Sequence, residues 1–402
     1  MSDRQHGAAS GLTSRQVFLM ALACALAVSA IYYHQPLLPQ IAASFGVSPT
    51  QGNLIATVTQ LGYASGLLLF VPLADSVQPR KLATVAIVGN AIALLACAMA
   101  PSFSLLVVSS FVAGATAITA QIIIPSASGM ASPEQRGRTV GMLLGGLSSG
   151  VLLARALSGF VGANFGWRAM FASAAALDLA LFAVVARLPH AASLAEMRYR
   201  DLIRSLVSLI RIEPALRISI ATGFLAFGAF SAFWATLAAL LAQPPYHFGP
   251  ATVGAFGLVG LIGLVASPYI GSLVDRIHPS LVSAAGAVTV LLAFASLSVG
   301  ALHLSWLVAS MVLLDLGNRA AFIANQARIY SLRPEARSRL NTAFMVSYFL
   351  GGAAGAAIGG FAAKHNGWTG LALVGAVLAL LALVASGVGY RKASLAVAPD
   401  GA

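Results

Sequence analysis

Stretches of about twenty residues without a charged side chain recur along this chain from one end to the other, each long enough for a helix to cross the hydrocarbon of a bilayer. In lipid no backbone N–H or C=O meets water, so such stretches must close their hydrogen bonds within a helix. The spacing predicts spans near 17–40, 53–73, 82–100, 103–125, 139–160 and 168–187. A second set follows near 218–242, 252–272, 281–300, 305–327, 339–361 and 368–389. With 59% hydrophobic and only 8% charged residues, the 402-residue chain holds more apolar surface than a water-soluble core can hide. The expected fold is an all-α integral membrane protein with twelve transmembrane helices.

The net charge of +12 would suit a nucleic-acid binder if the basic residues covered one solvated face, but here they sit in short clusters between apolar runs. No nucleic-acid partner is expected. With twelve crossings and both termini in the cytoplasm, nearly every lysine and arginine, Arg328 among them, falls on the cytoplasmic side. Arg168 and Lys364 fall outside, and Arg155 and Arg319 lie within helices. Cys24 and Cys97 both lie in predicted helices, so neither a disulfide framework nor a metal site is expected, and no cofactor is called for. Arg15 and the apolar run ending Val28-Ser29-Ala30 have the outline of a secretory leader. The counterpart of this segment from Ile218 onward is an uninterrupted span, so it is read as a helix.

That counterpart belongs to an internal repeat. Pro133-Glu134-Gln135-Arg136-Gly137-Arg138 returns as Pro334-Glu335-Ala336-Arg337-Ser338-Arg339, a spacing of 201 residues. At the same spacing Gly150 matches Gly351, Gly159-Phe160 matches Gly360-Phe361, and Gly166-Trp167 matches Gly367-Trp368. Leu73 to Pro79 pairs with Leu273 to Pro279 at a spacing of 200. The predicted organisation is therefore a six-helix bundle over 1–188, a linker over 189–216 and a second, pseudo-twofold-related six-helix bundle over 217–402. Within the linker, Leu202, Leu206 and Leu209 alternate with Arg200, Arg204 and Arg211, which predicts a basic amphipathic helix lying on the membrane surface.

Over essentially its full length the chain resembles the major facilitator superfamily. Asp75 with Arg80 and Lys81, and Gly271-Ser272-Leu273-Val274-Asp275-Arg276, are similar to that family's acidic-then-basic loop signature. Tyr32-Tyr33-His34-Gln35-Pro36-Leu37-Leu38-Pro39 and Leu314-Asp315-Leu316-Gly317 resemble a bacterial subgroup described as drug or metabolite efflux proteins. The resemblance implies an inner-membrane protein whose two bundles rock about a midplane cavity lined by the first, fourth, seventh and tenth helices. Two features depart from the family's proton antiporters: Ser110 stands where an arginine often precedes Gly114, and Gly150-Val151 stands where the fifth helix often has Gly-Pro.

Ionised groups at membrane depth are expensive, so each deep charge is expected to face a cavity or a partner. The deep acids are Asp178 and Asp315, and the deep bases are Arg155 and Arg319. Asp315 and Arg319 are four residues apart on one helical face, close enough to pair, and Asp315 is a candidate proton or cation carrier. Arg155 has Ala356 as its repeat partner, so the duplicated scaffold does not require it; the alternatives are a substrate contact or a salt bridge to Asp178. Tyr32, Tyr33, His34 and Gln35 sit beside Pro36, where the first helix should bend. Gln60, Tyr63, Asn318 and Tyr348 are polar groups that bind substrate or join helices, and the row from Phe224 to Trp234 offers an aromatic face. Asp75, Arg80, Lys81, Asp275, Arg276, Arg136 and Arg337 are expected to form loop contacts made in only one rocking state.

The three lysines follow Arg80, Ala363 and Arg391, so no phosphate-binding Gly-Lys exists for an ATP-driven pump. No His-Glu-x-x-His or Gly-x-Ser-x-Gly pattern supports an enzyme. The expected function is proton-coupled efflux of a small organic molecule. Uptake of a sugar or organic acid is the alternative, and a transport-inactive sensor or scaffold is the alternative of another class. The expected partners are a small-molecule substrate, a proton or other coupling ion and the lipid bilayer, with the chain acting as a monomer.

Overall fold

The computed structural model describes residues 12–75, 77–132, 135–185, 199–300, 303–333 and 336–397, with the side chains of Asp75 and Arg136 outside that description. The described residues are helical throughout and contain no strand. In chain order the helices are α1 Ser14–Ser29, α2 Leu38–Phe45, α3 Pro49–Gly52, α4 Leu54–Leu69, α5 Pro79–Met99, α6 Phe103–Thr116, α7 Thr119–Met130 and α8 Arg136–Phe165. There follow α9 Trp167–Val185, α10 Tyr199–Ile212, α11 Pro214–Leu241, α12 Pro250–Ala255, α13 Leu261–Arg276, α14 Pro279–Gly300, α15 Leu304–Leu332 and α16 Arg337–Val397.

Local chemistry sets most boundaries. Thr13 and Ser48 close capping boxes with Gln16 and Gln51. Pro49, Pro79, Pro214, Pro250 and Pro279 each begin a helix, where a missing N–H costs nothing. The repeat is visible in the backbone: Gly166 (φ 84°) separates α8 from α9, and its partner Gly367 (φ 51°) breaks α16 in two. Among the described residues nine helices are long and apolar enough to cross a bilayer, with Arg337–Arg391 counted once despite that break. The expected first span is too short as α1 alone, because the chain leaves the helix after Ser29 and resumes through a 3-10 turn, Gln35–Leu37, into α2. A similar 3-10 turn, Phe256–Gly260, separates α12 from α13.

One face of the molecule gathers the start of α1, the end of α9 and the end of α16. Tyr199 donates to the Leu69 carbonyl there, Arg333 pairs with Glu213 at 2.6 Å, and Gly389 packs on Ile218 and Ser280. At the opposite, far face Trp167 Nε1 donates to Ser44 at 3.1 Å, and Arg168 donates to the carbonyls of Ala98 and Ala100 at 2.9 Å.

The two halves of the chain meet tightly toward the far face. Gly159 in α8 and Gly254 in α12 approach backbone to backbone, and the Gln35–Leu37 turn packs between α8, α11 and α12. Along α4 and α16, Asn53 abuts Gly360, Gln60 abuts Gly352, and the Tyr63 and Phe349 rings meet edge-on at 4.4 Å. Toward the terminal face the seam narrows: α16 still meets the Val71–Asp75 turn that follows α4. α13 packs on α15, and Gly137, Gly141, Gly145 and Gly271 have nothing within 4 Å of where a Cβ would stand.

Two expectations are corrected. The leucine face of α10 does not lie on a bilayer: Leu202, Leu206 and Leu209 are buried against the protein, and α10 straps α11 and α16 to the end of α4, because that apolar stripe finds protein before lipid. Arg328 is not a loop residue. It lies buried in the last turns of α15, donating to Ser280 at 2.8 Å and to Ser219 at 3.4 Å.

Candidate substrate and proton site

Where the tight far half ends, α1, α8, α11 and α15 bring their charged and aromatic residues together. Arg155, from α8, is 2% exposed. Its Nε donates to Gln35 Oε1 at 2.7 Å, and Gln35 is held in place by the 3-10 turn that begins with it. The guanidinium lies 4.0 Å from the Trp234 ring, 5.1 Å from Tyr32 and 5.8 Å from Phe230. Arg155 belongs to the first half of the chain and Trp234 and Phe230 to the second, so these desolvated cation–π contacts hold the halves together. The Arg155 side chain fits because Gly257 stands opposite: a Cβ there would lie 2.7 Å from Arg155 Cβ.

Asp315 is buried in α15 against Gly260 and Gly263 of the eighth predicted span. Its Oδ2 has no hydrogen-bond partner, and a Cβ on Gly263 would collide with it. The expected pairing with Arg319 is not made. No ion pair within 4.0 Å joins the two, because Asp315 leans onto the Gly260 and Gly263 surface. Both Arg155 and Arg319 nonetheless act electrostatically on the Asp315 carboxylate.

A polar and aromatic shelf continues from there. Asn318 donates to the Tyr348 hydroxyl at 3.3 Å, and the Tyr348 ring stacks on Phe227 at 3.9 Å. Ser231 donates to Gln60 at 3.3 Å, tying α11 to α4, and Gln121 of α7 reaches the Tyr63 hydroxyl at 3.5 Å. His34 is buried with Nε2 unpartnered, and Tyr33 points toward Ser29 and α9. Asp178 is elsewhere. It is buried in α9, makes no ion pair with Arg155 and acts on Tyr33, so the expected Arg155–Asp178 bridge does not exist.

The centre therefore takes residues from the first, fourth, seventh and tenth helices, the four the resemblance implied, and also from the second, fifth, eighth and eleventh. Sequence reasoning missed Gln121, Phe349 and the glycines at 257, 260 and 263. Their spacing of three was the available signal, marking a small-residue stripe that large side chains could enter.

The loop residues whose side chains are described are Arg80, Lys81, Asp275, Arg276 and Arg337. Asp275 and Arg276 are exposed and unpaired, Lys81 is exposed, Arg337 Nε donates to the Tyr330 carbonyl at 3.0 Å, and Arg80 lies partly buried at the start of α5. His278 in the next loop accepts from the Ser280 N–H at 3.1 Å, and burial, then the nearby Arg328 charge, hold its imidazole below the usual range. Among the described residues no cluster of three or more His, Cys, Asp or Glu is placed to hold a metal ion.

Two repeated halves of apolar helices, packed tightly at the far end and carrying buried charges where they meet, have the architecture of a membrane transporter. Residues 18–325 match the model of the Major Facilitator Superfamily, and the chain belongs to that family. It is 35% identical to the "Uncharacterized transporter YgaY" of Escherichia coli O157:H7 over 382 residues, covering 95% of this chain and 97% of that one. It is 26% identical to the "Inner membrane transport protein YnfM" of Escherichia coli K12 over 384 residues, covering 94% of this chain and 90% of that one. In structure it is similar to a point mutant of the nucleoside transporter NupG, with a TM-score of 0.75, 14% identity and coverage of 94% of this chain and 99% of the other, a likeness of fold alone.

Proposed function

We infer that this transporter drives proton-coupled efflux of a small organic molecule across a bacterial inner membrane by alternating access, with residues 1–188 and 217–402 as the rocking bundles and twelve crossings between cytoplasmic termini. The bias of Lys and Arg toward the terminal face supports placing that face in the cytoplasm. The far half is closed by Gly159 on Gly254 and by Arg155 on Trp234.

One observation carries the coupling: Asp315 is a buried carboxylate without an ion pair, at the point where the two halves meet. A carboxylate so placed is costly to keep charged in lipid and is relieved by taking a proton. Its access to either side changes as the halves rock. Arginine cannot deliver a proton, so Arg155 and Arg319 hold charge while Asp315 exchanges it.

The test is transport in proteoliposomes with a lumenal pH dye and an imposed gradient. The intact protein should move protons with substrate, whereas Asp315→Asn should retain substrate exchange and lose net gradient-driven flux. Unchanged gradient-driven flux in Asp315→Asn would remove the aspartate from the coupling mechanism.

A further inference from the structure

We propose that the substrate is a small organic monoanion, a carboxylate on an aromatic or apolar body, bound with its charge between Arg155 and Arg319; this rests on the reading of the chain as a transporter. By sequence the two deep acids and two deep bases cancel. The fold separates them. Asp178 lies in α9 and is not among the groups acting on Arg155, which are Tyr32 and Asp315. The centre thus holds two guanidinium groups against one carboxylate.

The geometry makes that excess positive charge available. The direct contacts of Arg155 are neutral, namely Gln35 and the rings of Trp234, Tyr32 and Phe230, and its Nη2 has no partner although the residue is buried. Arg319 closes no ion pair and is only half-buried, so its guanidinium is not enclosed as that of Arg155 is. The Arg155 side chain packs on Gly257 and Arg319 Nε comes within 3.7 Å of a Cβ built on Gly263, on the same segment, so the two border one site. Trp234 Nε1 is a second buried donor without a partner. Two free donors beside aromatic faces match a carboxylate joined to a ring, whereas a cation would meet two like charges.

The test measures binding apart from transport. Full-length protein in nanodiscs is heated while its unfolding is followed, with matched series of arylalkyl carboxylates, their neutral amides and the corresponding amines, phenylacetate, phenylacetamide and phenethylamine being the smallest. Carboxylates should raise the unfolding midpoint and amides and amines should not. Arg319→Gln and Arg155→Gln should each weaken carboxylate binding by about tenfold or more, the usual scale for a lost charge-assisted hydrogen bond. Arg319→Gln carries the test if the fully buried Arg155 variant does not fold. The proposal is overturned if no carboxylate binds, if amines or amides bind as well as carboxylates, or if the carboxylate preference survives Arg319→Gln. Carboxylate binding without flux in vesicles would instead count against the transport reading and leave the anion site intact.

Discussion

The same helix pair is built in two ways in the two halves of the chain. In the first half, α4 and α6 touch backbone to backbone: a Cβ on Gly62 would strike the Phe111 carbonyl, one on Gly66 the Ala115 carbonyl, and one on Gly114 the Thr59 carbonyl. The 201-residue spacing carries Gly114 to Asp315 and Ile118 to Arg319, and the repeat sets the eighth predicted span, which holds Gly260 and Gly263, opposite them as α4 stands opposite Gly114. In the second half, Gly260 and Gly263 therefore face a carboxylate, and Arg319 Nε comes within 3.7 Å of a Cβ built on Gly263. What is a seam between close helices in one copy is a charged site in the other. A duplicated scaffold can keep one copy as a stiff wall and fit the chemistry into the second, with glycine providing room in both.

That contrast can be broken most severely on the stiff side. Gly62→Val puts a branched side chain into main chain that cannot yield, and overpacking of that kind costs about 1–3 kcal/mol or more. It should lower the yield of monodisperse protein and its melting temperature in detergent, whereas Gly263→Ala, facing the movable end of Asp315, should leave the melting temperature near that of the parent. Equal losses of stability in both would dissolve the distinction.

Next in size is the reversion of the second copy to the first, Asp315→Gly. The helix keeps its partners, and the expected outcome is folded protein whose gradient-driven flux falls to that of empty vesicles. The proteoliposome pH assay reads this directly.

A smaller effect is expected at the seal between the copies. Arg155→Lys keeps the charge but loses the flat guanidinium over Trp234 and its fixed hydrogen bond to Gln35. Losing about 1–2 kcal/mol of desolvated cation–π contact should shift the population toward the far-open state several-fold to about thirtyfold. Labelling rates of a cysteine placed at Leu37, fully buried in the turn that packs between α8, α11 and α12, in a background lacking Cys24 and Cys97 measure that shift, and rates unchanged from the Arg155 parent count against the latch.

The smallest effect lies at the terminal face. Arg328→Gln removes the charge that helps to depress His278, so the imidazole should titrate at higher pH than in the parent, with the ring charged over a wider range of acidic pH. An NMR titration of His278 follows it, and a midpoint that stays fixed or falls would leave burial as the whole cause.

Much of the architecture was legible in the sequence, because in lipid the backbone must satisfy itself within each crossing and hydropathy alone then marks where helices run. The repeat added the relation between halves, down to the positive φ at Gly166 and Gly367. Membership of the site was less legible. Asp315 and Arg319 are four residues apart and looked like a pair, yet the pairing depends on Gly260 and Gly263, more than fifty residues away in sequence, which offer the carboxylate another surface. Asp178 looked like a partner for Arg155 because both are deep and charged, and depth says nothing about which side of a bundle a residue faces.

The sequence by itself determined that this chain lives in a membrane as a duplicated set of apolar helices, since that follows from side-chain hydropathy and spacing along one dimension. Only the tertiary structure decided which buried charges share a site, that α10 is a strap across the protein, and that the halves meet backbone to backbone at Gly159 and Gly254. Those facts depend on contacts between residues far apart in the chain, where the presence or absence of a single Cβ sets how near two helices come.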